Sequence, residues 1–161
     1  MTIYYFGDFD PAYARNRVLI RGLEENGVDV VICNDRAKGW RSRFRLIQKV
    51  RHSKRPQDRI IVGYSDSRWA VPLLRLFGCG PVIWDAFYSI YDSFIFDRKL
   101  ARPGSPKAFW YWFLDWLSCG LSASILLDTE EHIDYFVRTF CVSKMKFIRV
   151  FIGADDSIFK P

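Results

Sequence analysis

The sequence predicts an α/β protein, a Rossmann-like doubly wound parallel sheet flanked by helices, and three observations predict it. Short apolar runs alternate with longer segments of helical period along the whole chain. The first strand, helix and second strand fit within about 33 residues, a βαβ unit that requires parallel pairing and a right-handed crossover. Half of the 161 residues are apolar and 17% are aromatic, enough to bury the core of one domain over residues 1–161.

Ile3 to Phe6 reads as the first strand, and Gly7-Asp8-Phe9-Asp10-Pro11 as a turn. A helix from about Ala12 to Asn26 follows, with Val18, Leu19 and Leu23 at helical spacing and Gly27 as its stop. Val28 to Cys33 is the second strand. From Gly39 to Arg51 a basic helix is expected, with Trp40, Phe44, Ile47 and Val50 roughly on one side. Pro56-Gln57-Asp58 leads into a strand at Arg59 to Gly63. Ser65-Asp66-Ser67 opens a helix that reaches Phe77, although Pro72 restricts where its regular part begins. After Gly78-Cys79-Gly80-Pro81, Val82 to Trp84 is a fourth strand. Ser105-Pro106 is a helix start that carries to about Cys119, with Gly120 as its stop. Ser124 to Leu127 is the fifth strand, Asp128 and Glu131 have capping-box spacing at the next helix, and Lys146 to Phe151 is the sixth strand.

Several function classes find no support. Cys33, Cys79, Cys119 and Cys141 are widely spaced and are expected as reduced, mostly buried thiols of a cytoplasmic protein; His52 and His132 are isolated, so no metal site is expected. The first loop has only Gly7 where dinucleotide binders need several glycines, and no cofactor is expected. No apolar run spans a bilayer, and Met1 to Phe6 reads as a strand without a basic leader.

The net charge of +6 is concentrated. Between Arg36 and Arg55 lie nine basic residues and no acidic one, which leaves 15 of the 24 basic residues against 18 acidic ones elsewhere. Aromatic and aliphatic residues among these charges suit attraction to anionic lipid, through Trp40, Arg41, Arg43, Phe44, Arg45, Lys49 and Arg51; a solvated face is the plainer reading, and nucleic acid is disfavoured because no recognised motif accompanies the charge. The aromatic helix Pro106 to Cys119 is read first as core, with a membrane interface as the alternative.

In an open parallel sheet, ligands sit beyond the carboxyl ends of the strands. Polar residues arrive there from Gly7 to Arg15, from Ser65 to Arg68, from Asp85 onward and at Asp128. The irregular stretch Val82 to Arg98 sets Asp85, Asp92 and Asp97 among aromatic rings. A carboxylate at a strand end beside Trp84 and Phe87 can be desolvated and made more basic, so Asp85 is the candidate general base or hydroxyl ligand; a loop carboxylate capping backbone amides is the competing reading. Asp8 and Asp10 admit a phosphohydrolase site, against which stands an ordinary turn before a helix.

Two segments resemble the N-terminal domain of GT-B glycosyltransferases, in particular the family 4-like retaining enzymes. Tyr13 through Val30, a helix and a glycine ahead of the second strand, looks like the family's opening, and Gly153-Ala154-Asp155-Asp156-Ser157-Ile158-Phe159-Lys160-Pro161 is similar to the G-x-D-x-x-x-F-x-P signature at its domain junction. The resemblance implies an acceptor-binding GT-B half-domain facing a C-terminal donor-binding domain supplied in cis or as a separate subunit, and the basic helix is expected to hold it near a membrane surface, at the inner face of the cell membrane. It implies a nucleotide-sugar donor, a glycan or lipid-linked acceptor, and no activity for this half alone. Asp85 is then the catalytic candidate, and Gly7, Arg15, Asp66, Arg68, Asp92, Arg98 and Asp128 the acceptor-binding ones. Many members carry a His after the fourth strand, where this chain has Trp84-Asp85. The rival is a non-catalytic docking or anchoring subunit.

Overall fold

The computed structural model describes residues 1–34, 39–65 and 68–153. Six parallel strands, β1 (Thr2–Gly7), β2 (Asp29–Asn34), β3 (Arg59–Val62), β4 (Val82–Phe87), β5 (Ser124–Leu127) and β6 (Phe147–Arg149), form one sheet in the order β2-β1-β3-β4-β5-β6. The Rossmann-like α/β class is therefore as expected. Asp66, and all of the proposed junction signature except Gly153, lie outside the described residues.

Right-handed crossovers decide which face each helix covers. The chain steps one way from β1 to β2, so α1 (Ala14–Glu25), alone among the described helices, packs on one face, with Leu19, Ile20 and Leu23 against Ile3, Tyr5 and Ile61. Every later step goes the other way. Hence α2 (Trp40–Ser53), α3 (Ala70–Leu76), α5 (Pro106–Leu121) and α6 (Glu130–Phe140) share the opposite face, where the larger core gathers Phe6, Val62, Trp84, Ile125, Phe136 and Phe140. A short turn α4 (Ile90–Asp92) runs into a π-helical segment, Ser93–Asp97, between β4 and α5.

Local chemistry explains the boundaries. Ser105 Oγ accepts from the Ala108 amide with Pro106 in the first turn, the N-cap expected for α5. At α6 the cap is Thr129, whose Oγ1 accepts from the His132 amide, and Asp128 instead binds His132 Nδ1 at 2.6 Å. The helix after β3 begins at Ala70, because Pro72 donates no amide and sits most easily in a first turn. β4 runs on to Phe87, so Asp85 lies inside the sheet. Cys33, Cys79 and Cys119 are buried thiols, whereas Cys141 is exposed in a left-handed conformation just after α6.

Candidate functional site

Strand order reverses between β1 and β3, and the crevice outside their carboxyl ends is where a doubly wound sheet takes ligands. A cleft of about 370 Å³ opens there, lined by Asp8, Asp10, Tyr13, Asn16, Tyr64, Ser65 and Arg98. The first three follow β1, Tyr64 and Ser65 follow β3, and Arg98 arrives from the end of the π-helical segment.

Asn16, fully buried on α1, holds this edge together. Its Oδ1 accepts from Tyr5 Oη at 2.9 Å and from the Tyr64 amide at 3.0 Å, while Nδ2 donates to the carbonyls of Asp10 and Tyr64, each at 3.1 Å. Both acceptor and both donor positions of the amide are used. Gly63 lets the strands close up beneath it: a Cβ there would stand 2.3 Å from Tyr5 Cε1. Asp8 is fixed through both oxygens, Oδ1 by Ser65 Oγ at 2.9 Å and Oδ2 by Trp69 Nε1 at 3.1 Å, and Asp10 Oδ1 accepts from the Ala12 amide. Asp8 is thus tied to the loop after β3 and to Trp69, and Asp10 caps its own turn.

Aromatic rings make the cleft wall. Tyr13, Tyr64 and Phe87 stand in sequence with neighbouring centroids 5.0 Å apart, and Tyr64 Oη donates to Tyr88 Oη at 2.7 Å. Phe87 has φ of 60°, and the Tyr88 amide donates to the Ala86 carbonyl at 2.7 Å across it, a tight turn where the register with β5 shifts. A bulky side chain in that region costs about 1–3 kcal/mol, strain that collects at functional sites.

Two buried ion pairs lie behind the wall. Arg15 Nε donates to Asp85 Oδ1 at 2.8 Å and Oδ2 at 2.9 Å, Nη1 reaches the Val150 carbonyl at 3.3 Å, and the guanidinium lies 4.7 Å from the Phe87 ring centre. Burial pushes the Asp85 carboxyl up, and the Arg15 hydrogen bond and charge pull it back. In the second pair, Arg68 Nε donates to Asp115 Oδ1 at 3.1 Å, and Asp115 Oδ2 accepts from Ser89 Oγ at 2.8 Å and the Tyr91 amide at 3.1 Å. Arg68 also donates to the carbonyls of Ser65 and Tyr88. This pair therefore ties the loops after β3 and β4 to α5.

The sequence-predicted residues consequently separate. Gly7 ends β1 with φ of 146° and the Phe9 ring against it. Arg98 lines the cleft, its Nη2 3.4 Å from Tyr88 Oη. Arg15, Arg68 and Asp85, expected to meet a ligand, are sealed in ion pairs, because a strand end packed under α1 and α5 is dry and a charge there needs a partner. Asp92 is half-buried, its carboxyl pushed up by burial, and its amide donates to Ser89 Oγ. Asp128 lies two strands away and holds His132, which is thus not isolated. On α2, Trp40, Arg41, Arg45, Lys49 and Arg51 are exposed; Phe44 packs on Phe77, and Arg43 turns inward, 4.5 Å from the Trp69 ring centre and 4.0 Å from Asp8. Asn16, Tyr64 and Asp115 were missed as site-forming residues. Asp115 left one signal, a lone carboxylate inside an aromatic helix.

Among the described residues no cluster of three or more His, Cys, Asp or Glu side chains is placed to hold a metal ion, and no helix is long and apolar enough to cross a membrane. No protein-family model matches the chain, and no curated protein matches it. Among solved structures it resembles the crystal structure of Anabaena Alr3699/HepE in complex with UDP and glucose, with a TM-score of 0.53, 12% sequence identity, and coverage of 98% of this chain and 46% of that one. The chain thus spans less than half the length of that protein, and the likeness is one of fold: a doubly wound parallel α/β unit.

Proposed function

We propose that this chain is the acceptor-binding half of a GT-B glycosyltransferase, retaining and family 4-like, working with a donor-binding half in the same polypeptide or in a second subunit. The observation that carries the reading is the superposition of nearly the whole chain on 46% of a protein crystallised with UDP and glucose. The cleft chemistry is in keeping with it. Carboxylates, a guanidinium and tyrosine hydroxyls can bind sugar hydroxyls, and the exposed edge of Tyr13 offers an aromatic face for a ring to lie against. Asp85 acts here as a positioning residue, holding Arg15 where it braces Phe87 and the end of β6. The exposed basic stripe Arg41, Arg45 and Lys49 draws the half-domain towards an anionic surface, where a lipid-linked acceptor resides.

Saturation-transfer NMR on the isolated chain tests the assignment of halves. Oligosaccharide or glycolipid headgroups are expected to receive saturation, with loss in Tyr13→Ala, and UDP is expected to receive none. Strong saturation of UDP with silent glycans would overturn it. With a donor half added, sugar transfer is expected to fall in Asp85→Asn; transfer at full rate removes Asp85 from the mechanism.

A further inference from the structure

Helix α5 is built inside out. Its fully buried positions include Asp115, Ser118 and Cys119, while Phe109 is 63%, Trp110 55% and Trp116 42% exposed. The exposed rings form a continuous strip, with Trp110 stacked on Phe113 at 5.9 Å and Phe113 against Trp116 at 5.8 Å. Exposed aromatic surface of this extent on a folded domain marks a contact site.

The helix also overhangs the sheet. Asp115 binds Ser89 and the Tyr91 amide, just beyond the carboxyl end of β4, so residues 106–114 lie further out than the strands. Phe109 and Trp110 therefore lie towards the carboxyl-end side of the sheet, the side on which the cleft opens. The segment between β4 and α5 packs beneath the overhang through Phe94 on Tyr111, and it presents Phe96 and Leu100, each half exposed.

Charge identifies the occupant. From Phe96 to Leu114 there are four basic residues and one acidic one, Asp97, and Lys99, Arg102 and Lys107 are exposed without a carboxylate partner among the described residues. A second copy docked two-fold on this rim would set like charges together. Rings that prefer a wet-apolar boundary, interleaved with cations, fit the headgroup layer of an anionic bilayer. We infer that the overhanging start of α5 and the segment before it form a membrane-docking rim, which dips Phe109, Trp110, Phe96 and Leu100 into an anionic leaflet beside the cleft. The basic stripe of α2, in the same helical layer, supplies longer-range attraction. This inference does not need the sugar-transfer reading, since it is tested without donor or acceptor.

Sedimentation with phosphatidylserine-phosphatidylcholine vesicles is the assay. The wild-type chain is expected to bind, more weakly in high salt and hardly at all to pure phosphatidylcholine. The triple variant Lys99→Gln, Arg102→Gln, Lys107→Gln should lose about a hundredfold in affinity, at about fivefold per charge. Phe109→Ser with Trp110→Ser should lose binding with an unchanged circular dichroism spectrum. Quenching of wild-type tryptophan fluorescence by bromine-labelled lipid chains checks insertion without any variant. No vesicle binding, binding untouched by the serine pair, or absent quenching overturns the inference. So does a wild-type dimer that Trp110→Ser dissociates, which would give the rim to a second copy.

Discussion

The Arg68-Asp115 pair allows its worth to be tested by a double-mutant cycle. Both side chains are 0% exposed, and the carboxylate takes three hydrogen bonds, from Arg68, Ser89 and the Tyr91 amide. Asp115→Ala strands a guanidinium that cannot lose its proton, and a broken buried pair costs about 3–5 kcal/mol, a large share of the roughly 5–15 kcal/mol that a domain has. Arg68→Met strands the carboxylate instead, which can neutralise itself because burial already pushes it up. A folded-state value raised above the unfolded one binds protons in the native state, so stability from this group is present at low pH and lost as pH rises through the raised value. Arg68→Met should therefore be destabilised at pH 7 and partly recover towards pH 5, whereas Asp115→Ala should not recover. Combining Arg68→Met with Asp115→Ala removes both charges; the Ser65 and Tyr88 carbonyls lose a donor and the Ser89 hydroxyl and Tyr91 amide lose an acceptor, losses of about 1–3 kcal/mol for each group left unpaired that the single variants already share. Urea denaturation of the four proteins should then give a coupling of about 3 kcal/mol or more. A double variant as unstable as the two losses added together would refute the reasoning.

Other outcomes follow from single contacts. Asp58 accepts from the Arg55 amide at 2.8 Å and the Thr2 amide at 2.9 Å, which hold its carboxyl below its ordinary range. Its stabilising effect is present above the unfolded value and lost as pH falls through the depressed one, so urea midpoints measured from pH 7 down to pH 3 should fall less steeply in Asp58→Asn. Gly63→Ala forces a methyl onto Tyr5, which Asn16 holds by its hydroxyl, and a loss of about 1–3 kcal/mol by urea denaturation is expected. Thr129→Ala should cost about 1 kcal/mol and speed amide exchange in the first turn of α6.

Much of the fold was legible because apolar period and turn chemistry act locally. Ser105-Pro106 and the strand at Ser124 to Leu127 needed no tertiary information. Asp85 marks where local reasoning stops. An aspartate is a poor strand residue, and the strand was expected to end at Trp84; it continues because Arg15, 70 positions earlier in sequence, neutralises that carboxylate inside the sheet. The aromatic run of α5 suggested core, and Trp112 does pack there, yet Phe109, Trp110 and Trp116 face outward, because part of the inner face is given to Asp115 and its polar partners, which no periodicity reveals. The cleft's location followed from topology, but its lining residues did not, since whether an arginine faces the cleft or a buried carboxylate is settled by packing.

The four-way engagement of Asn16 bears on how this protein could change over time. Aspartate brings no donors, glutamine is one methylene too long, and any apolar replacement orphans groups on two loops and a buried tyrosine. Tyr13 and Arg98, by contrast, can be exchanged without disturbing that framework. Selectivity for a new partner molecule can thus evolve at the lining in single steps, while the scaffold beneath it stays frozen at one amide.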